Sequence, residues 1–134
     1  MRFSITLDKD KLYLSYLQTM NGLFKLSSKE MDILSEFMLL KDRLTSGNII
    51  GDDLNSLLFS PSSRKIIYTK LGISQFNLNN YIASLRYKRM ILHSEGLFML
   101  NPKYTTLNIV NNTYELSFNF TINGNSIQSN THEL

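Results

Sequence analysis

A short stretch in the middle of the chain restricts the fold most, because it contains consecutive helix start and stop signals. Ser60 is an N-cap residue, and Pro61 follows at the first helical position, where its fixed φ and missing N–H cost nothing. Gly72 supplies a left-handed C-terminal residue, and Ser74 can cap the next helix. The two helices are therefore expected at about 61–71 and 75–90.

Apolar residues and spacing indicate how these two helices are used. Leu78, Ile82 and Leu85 lie along one side of the second helix. The turn residues and the short connection are typical of a helix-turn-helix. Two candidate strands, 90–92 and 97–100, follow around a Ser-Glu-Gly turn. A β-hairpin directly behind the second helix has the position of a wing.

A further helix is expected upstream, at about 28–42. Ser27 and Glu30 have the spacing of a capping box, in which each side chain satisfies the other residue's backbone N–H. Met31, Leu34 and Phe37 follow at helical spacing. Between this helix and the pair, 49–50 is a candidate short strand, and Asp52 or Asp53 can cap a helical turn.

The N-terminal residues alternate between apolar and polar. Phe3, Ile5 and Leu7 precede a polar Asp-Lys-Asp turn, after which alternation resumes. The pattern predicts an N-terminal β-hairpin arm over 1–20, although a helix beginning within 11–19 is an alternative.

The C-terminal third has the cleanest period-2 pattern of the chain, from 113 to 122, preceded by an Asn-Asn turn. We expect a β-hairpin over 104–124, then a polar tail over 125–134 that is disordered when the protein is alone. The fold class predicted is α+β, with β-hairpins flanking a helical core.

The net charge of +3 conceals an uneven distribution. Residues 1–53 contain seven Lys/Arg and eight Asp/Glu, and residues 95–134 contain one Lys and three Glu. Residues 54–94 contain six Lys/Arg and no Asp or Glu. A local charge of one sign attracts polyanions, of which nucleic acid is the commonest, although a solvated basic face is the alternative.

Composition excludes several classes of function. The 134 residues include no Cys, which excludes disulfide scaffolds, Cys-ligated metal sites and thiol catalysis. The chain shows no signal peptide, no apolar run near the roughly 20 residues of a membrane span, and no phosphate-binding loop. His93 and His132 have no partners at metal spacing. We therefore expect an intracellular protein without catalysis, metal or cofactor.

The run 26–102 resembles a winged helix-turn-helix domain. The matching motifs are the capped helix Ser-Ser-Lys-Glu-Met-Asp-Ile-Leu, the turn Leu-Gly-Ile-Ser and the wing Glu-Gly-Leu-Phe-Met-Leu-Asn-Pro. The Asn-Pro ending is similar to that of small phage and plasmid replication or regulatory proteins. The domain would span 21–103. Two features depart from the pattern: Arg89 stands where a Gly is frequent, and the flanking hairpins lie outside the minimal domain.

The resemblance implies that the helix 75–90 lies in a DNA major groove. Asn and Gln side chains would pair with adenine, basic side chains would contact phosphates, and the wing tip would reach the adjacent backbone. The implied DNA-binding residues are Arg64, Lys65, Lys70, Gln75, Asn77, Asn80, Ser84, Arg86, Lys88 and His93.

Two functional hypotheses remain open. The first is a non-catalytic protein of the host cytoplasm that binds double-stranded DNA, a phage-type regulator or replication factor, dimeric through its β arms. The alternative is a virion structural protein, such as a connector or ring subunit, that contacts other phage proteins. The strands bury their apolar faces either within one chain or between copies. The candidate oligomer interface comprises Phe3, Ile5, Tyr114, Leu116, Phe118 and Phe120.

Overall fold

A computed structural model of the chain describes residues 2–6, 8–107, 109–110, 113–117, 120–122 and 125–127, with side chains for residues 8 and 10–107. The chain divides into two compact units. The terminal unit combines Met1–Leu12 with Leu107–Leu134, and the central unit is Tyr13–Thr106. The described residues form a mixed α+β structure.

The helices are α1 (Lys9–Phe24), α2 (Ser28–Ser46), α3 (Gly51–Leu58), α4 (Pro61–Leu71), α5 (Gln75–Tyr87) and α6 (Pro102–Thr105). The strands are β1 (Arg2–Thr6), β2 (Ile91–Ser94), β3 (Leu97–Leu100), β4 (Ile109–Val110), β5 (Thr113–Ser117), β6 (Phe120–Ile122) and β7 (Asn125–Ile127).

The strands of the terminal unit pair within the chain. β5 lies between β1 and β4 in an antiparallel sheet, with Phe3 opposite Leu116 and Tyr114 opposite both Ile5 and Ile109. β6 pairs with β7. β4 and β5 pair within the segment 104–124, where a β-hairpin was expected, but 120–122 form a separate strand that pairs with β7. The expected disorder of the tail is wrong for 125–127, which form β7; its remaining residues lie outside the described part.

The predicted N-terminal hairpin is wrong beyond its first strand, because 9–24 form α1 rather than a second strand. Tyr13, Tyr16, Leu17 and Phe24 are buried. These residues recur at spacings of three, four and seven, so the helical period decided the structure where the alternation of Leu12, Leu14 and Tyr16 was also visible. The helical alternative for 11–19 is the one observed, and the expected boundary at residue 20 falls inside α1.

The core of the central unit lies around α2, which contacts α3, α4 and α5. Phe37 of α2 is fully buried and stacks on Phe59, with ring centroids 4.8 Å apart. Ile67 of α4 and Leu78 of α5 are also buried. The residues predicted to share an apolar face are thus buried on α2 (Leu34, Phe37) and on α5 (Leu78, Ile82, Leu85), whereas Ile66 of α4 is exposed.

The predicted caps of α4 and α5 are confirmed. The Ser60 side chain accepts from the Ser63 N–H, and the Ser74 side chain accepts from the Asn77 N–H at 3.0 Å. Gly72 has φ 67°, the left-handed conformation that ends α4 without a Cβ penalty.

β2 and β3 form an antiparallel pair behind α5, with Ile91 opposite Leu100 and both buried. The two residues between the strands, Glu95 and Gly96, have φ of 53° and 76°, as a tight two-residue turn requires. The candidate strand 49–50 is not a strand: Ile50 is the N-cap of α3, and Asp52 and Asp53 lie in its first turn. The short helix α6 had no counterpart in the sequence predictions.

Candidate nucleic-acid interface

The side of α5 opposite its buried residues carries two large aromatic side chains in solvent. Phe76 is 72% exposed and Tyr87 is 88% exposed. Asn80 and Ala83 lie between them and are also exposed. Their spacings of four, three and four residues place all four on one stripe of the helix, which we call the outer face of α5.

Exposed polar and basic side chains flank this face on α5, and a further basic one is exposed on α4. Gln75 and Asn77 are exposed in the first turn of α5, Arg86 in its last turn, and Lys65 on α4. Neither α4 nor α5 contains a carboxylate. The charge offered by these two helices is therefore purely positive.

Two residues predicted to contact DNA, Ser84 and Lys88, are bonded to Glu30, the capping-box residue of α2. Lys88 Nζ donates to Glu30 Oε1 at 2.7 Å, and the Ser84 hydroxyl donates to Glu30 Oε2. Glu30 also accepts from the Ser27 N–H at 2.7 Å, which completes the capping box. The side chain of Glu30 is 3% exposed and that of Lys88 is 31% exposed. We call these four residues the Glu30 cluster.

The cluster keeps Glu30 ionised despite its burial. Burial alone raises the pKa of this carboxyl, but the hydrogen bonds from Lys88, Ser27 and Ser84 and the charge of Lys88 outweigh it and hold the pKa at about 2. The positive charge of Lys88 is thus neutralised by Glu30, and its ammonium group is less available to contact a phosphate.

Lys70 is also paired with an acidic residue of α2. Its Nζ lies 2.9 Å from Glu36 Oε1, with the Lys70 side chain half exposed. An exposed pair of this kind contributes little to stability and can be broken when an anion competes for the amine. Lys70 is therefore placed at the surface, with a partner.

Arg64 joins α4 to its neighbours rather than pointing freely to solvent. Its Nε donates to the Phe59 carbonyl at 2.9 Å, and Nη1 donates to Asn79 Oδ1 at 2.8 Å. The guanidinium lies 5.4 Å from the centroid of the Phe98 ring of β3. Burial lowers the pKa of Arg64 from its ordinary value. Arg64 thus ties α4 to α5 and to β3.

The tip of the β2–β3 pair has a mixed character. His93 is exposed and its ring lies against that of Phe98 at a tilt of 33°, with centroids 4.2 Å apart. Glu95 of the turn lines a hollow of about 270 Å³ together with Asp52 of α3. These carboxylates oppose an approach of phosphate to this side of the tip.

Arg89 occupies the turn between α5 and β2 with φ 65°. This conformation costs an L-residue about 1–2 kcal/mol and is adopted freely by Gly, so the position has the geometry for which glycine is suited. The Asn101 side-chain amide donates to the Arg89 carbonyl at 2.7 Å and supports the turn. The Arg89 side chain is exposed.

The predicted residues thus separate into two groups. Exposed at the surface are Lys65, Gln75, Asn77, Asn80, Arg86 and His93. Bonded within the protein are Arg64, Lys70, Ser84 and Lys88. Phe76, Ala83 and Tyr87 were missed, although a helical projection from Leu78, Ile82 and Leu85 places them on the opposite side.

The candidate oligomer interface lies in the terminal unit. Phe3 and Ile5 belong to β1, Tyr114 and Leu116 to β5, and Phe120 to β6. Phe118 lies outside the described residues. β5 pairs with β1 of the same chain, which corresponds to the alternative in which the strands pair within one chain rather than between copies.

Comparison with models of known protein families, with curated proteins and with solved structures finds no match to this chain. In the part of the chain that the structure describes, no group of three or more His, Asp or Glu side chains is placed to hold a metal ion. Among the same residues, no helix has both the length and the apolarity needed to cross a membrane.

Proposed function

We propose that the protein is a non-catalytic, double-stranded DNA-binding protein of the winged helix-turn-helix type, in which α5 enters the major groove. The observation that carries the proposal is the outer face of α5, which is exposed and flanked by Arg86 on the same helix, with Lys65 exposed on α4 and no carboxylate on α4 or α5. The resemblance to phage and plasmid proteins extends the proposal to a regulator or replication factor.

The geometry of the central unit supports this function. An α-helix with its side chains is about 10–12 Å wide, and the major groove of B-DNA is about 12 Å wide. α4, the turn at Gly72 and α5 follow the order of a helix-turn-helix, and β2–β3 follow directly.

The paired cations refine which residues would contact phosphate. Lys88 is held by a buried carboxylate, whereas Lys65, Arg86 and Arg89 are exposed. Each phosphate contact that is lost lowers the slope of log affinity against log salt by about 0.9. Arg86 lies nearest in sequence to Tyr87 and the outer face, so it is the most direct test.

We expect Arg86→Ala to weaken duplex binding several-fold at low salt and to reduce the salt slope by about 1. Arg43→Ala is the matched control, since it removes the same charge from an exposed position at the end of α2, outside the acid-free segment 54–94. The measurement is duplex affinity by fluorescence anisotropy at four salt concentrations.

Equal losses in the two variants would show that only net charge matters and would contradict an interface on α5. A wild-type protein that binds no duplex at 20 mM salt would refute the DNA-binding proposal altogether.

The exposure of Phe76 and Tyr87 favours a second candidate, a subunit of a virion assembly that docks α5 on a neighbouring protein. This candidate predicts that the protein self-associates or binds another virion protein without DNA. Native mass measurement at micromolar concentration tests self-association, with Phe76→Ala expected to lower the oligomer fraction.

A further inference from the structure

We infer that the outer face of α5 reads A·T base pairs, with Asn80 bound to an adenine edge and Phe76 and Ala83 in contact with thymine methyl groups. This inference rests on the proposed DNA-binding function and adds the base preference to it. It is carried by the order of side chains on the helix, in which the amide of Asn80 lies between the apolar residues Phe76 and Ala83, with Tyr87 at the C-terminal end.

The chemistry of the stripe matches one base pair type. In the major groove, adenine offers an N7 acceptor and an N6 donor, which an Asn side chain can satisfy together. Thymine offers a methyl group, with which Ala and Phe make apolar contacts. Guanine is bound preferentially by Arg or Lys, and neither occurs among Phe76, Asn80 and Ala83.

The spacing also fits successive base pairs. Phe76 and Asn80 are separated by about 6 Å along the helix axis and Asn80 and Ala83 by about 4.5 Å, given a rise of 1.5 Å per residue. Base pairs are stacked about 3.4 Å apart, so the three side chains extend over about three to four base pairs.

The amide of Asn80 is available for this contact. The neighbouring Asn79 accepts a hydrogen bond from Arg64 and is held within the protein. Asn80, by contrast, is exposed, and its side chain makes no hydrogen bond to the residues that the structure describes. A free amide flanked by apolar groups is suited to a surface that itself alternates between polar edges and methyl groups.

The charge around the stripe favours a duplex over a protein as the partner. Arg86 and Lys65 are exposed on the same two helices, and these helices carry no carboxylate. Tyr87, at the C-terminal end of the stripe, has a hydroxyl that can donate to a phosphate oxygen. A DNA duplex, which is a polyanion with apolar methyl groups in its major groove, complements both the positive charge of these helices and the apolar side chains of the stripe.

The test uses the full chain and four duplexes of about 20 base pairs, measured at one salt concentration. They are an A·T-rich duplex, a G·C-rich duplex, the A·T-rich duplex with uracil for thymine, and the same duplex with 7-deazaadenine for adenine. We expect affinity for the A·T-rich duplex to exceed that for the G·C-rich one by about tenfold or more. Loss of the methyl group or of N7 should each weaken binding about two- to tenfold.

Two variants assign the contacts. In Phe76→Ala the uracil substitution should weaken binding less than in the wild type, because only the Ala83 contact with a methyl group remains, while 7-deazaadenine should weaken it as before. In Asn80→Ala, 7-deazaadenine should no longer weaken binding, while the uracil substitution still does. Both positions are exposed, so the variants should fold normally, which circular dichroism can verify. Arg86→Ala should lower affinity for all four duplexes by the same factor.

Each failure has a distinct meaning. Equal affinity for the A·T-rich and G·C-rich duplexes, or indifference to both base analogues, would overturn the A·T inference and leave the DNA-binding proposal standing. No binding to any duplex would remove both. An oligomer of the wild type that disappears in Phe76→Ala, without any duplex binding, would assign the stripe to a protein partner.

Discussion

At the scale of single residues, Glu30 connects local and long-range structure. Its capping bond to Ser27 spans three residues and was predictable, because the Ser-Ser-Lys-Glu motif specifies it locally. Its bonds to Ser84 and Lys88 span 54 and 58 residues and depend on how α2 packs on α5. No spacing rule connects positions so far apart, so these two bonds could not be predicted. Ser84 and Lys88 were expected to contact DNA.

The low pKa of Glu30 predicts acid sensitivity. A carboxyl with an ordinary pKa of 4.5 and a folded pKa of about 2 contributes stability that is fully present above pH 4.5 and is lost as the pH falls towards 2. Glu30→Gln should therefore lower the free energy of unfolding by about 1–3 kcal/mol at pH 7 and flatten its decline between pH 4.5 and 2.

Urea unfolding at a series of pH values measures both quantities. Asp32→Asn is the matched control, since it removes a carboxylate of the same helix that takes no part in the Glu30 cluster. If both variants retained the wild-type decline below pH 4.5, the role given to Glu30 would be wrong.

At the scale of elements, the boundaries that depend on single residues were predictable and those that depend on packing were not. Ser60, Gly72 and Ser74 begin or end helices as their chemistry dictates. The segment 11–19 was open to either a strand or the start of a helix, because Leu12, Leu14 and Tyr16 satisfy a period of two, and the burial of the α1 residues shows that the helical period prevails. In the turn at Arg89 the backbone has a conformation suited to Gly, but the residue there has a charged side chain.

The strain at Arg89 can be separated from its charge. Arg89→Gly and Arg89→Ala remove the same charge, but only Gly adopts φ 65° freely. We expect Arg89→Gly to be more stable than Arg89→Ala by about 1 kcal/mol, and both to weaken duplex binding by the same factor. Thermal unfolding and anisotropy measure the two effects; identical melting temperatures for the two variants would contradict the strain.

At the scale of the whole molecule, the proposed interface belongs to one unit. All residues of the outer face of α5, with Lys65 and Arg86, lie in the central unit. The described buried apolar side chains lie between Leu12 and Leu100. The acid-free segment was visible in the sequence. The lysines that pair with carboxylates of α2 could not be identified there, because the pairing depends on which face α2 turns towards α4 and α5.

A fragment of residues 8–107 should therefore fold and bind DNA. We expect cooperative thermal unfolding and an affinity for a single-site duplex within about threefold of the full chain, because the proposed contacts all remain and about 100 residues suffice for a domain core. Circular dichroism and anisotropy test this. A fragment that folds but binds more than tenfold weaker would place part of the interface in the terminal unit.

The bonds made by α5 also set its angle of rotation about its own axis. Ser84 and Lys88, one turn apart, are held by the same carboxylate, and Asn79 is held by Arg64 nearer the other end. Adjacent residues are about 100° apart around a helix, so a slip of one position would turn a different row of side chains outward. A variant that lost the Glu30 cluster and stayed folded should accordingly change which bases are preferred, as well as how tightly they are bound.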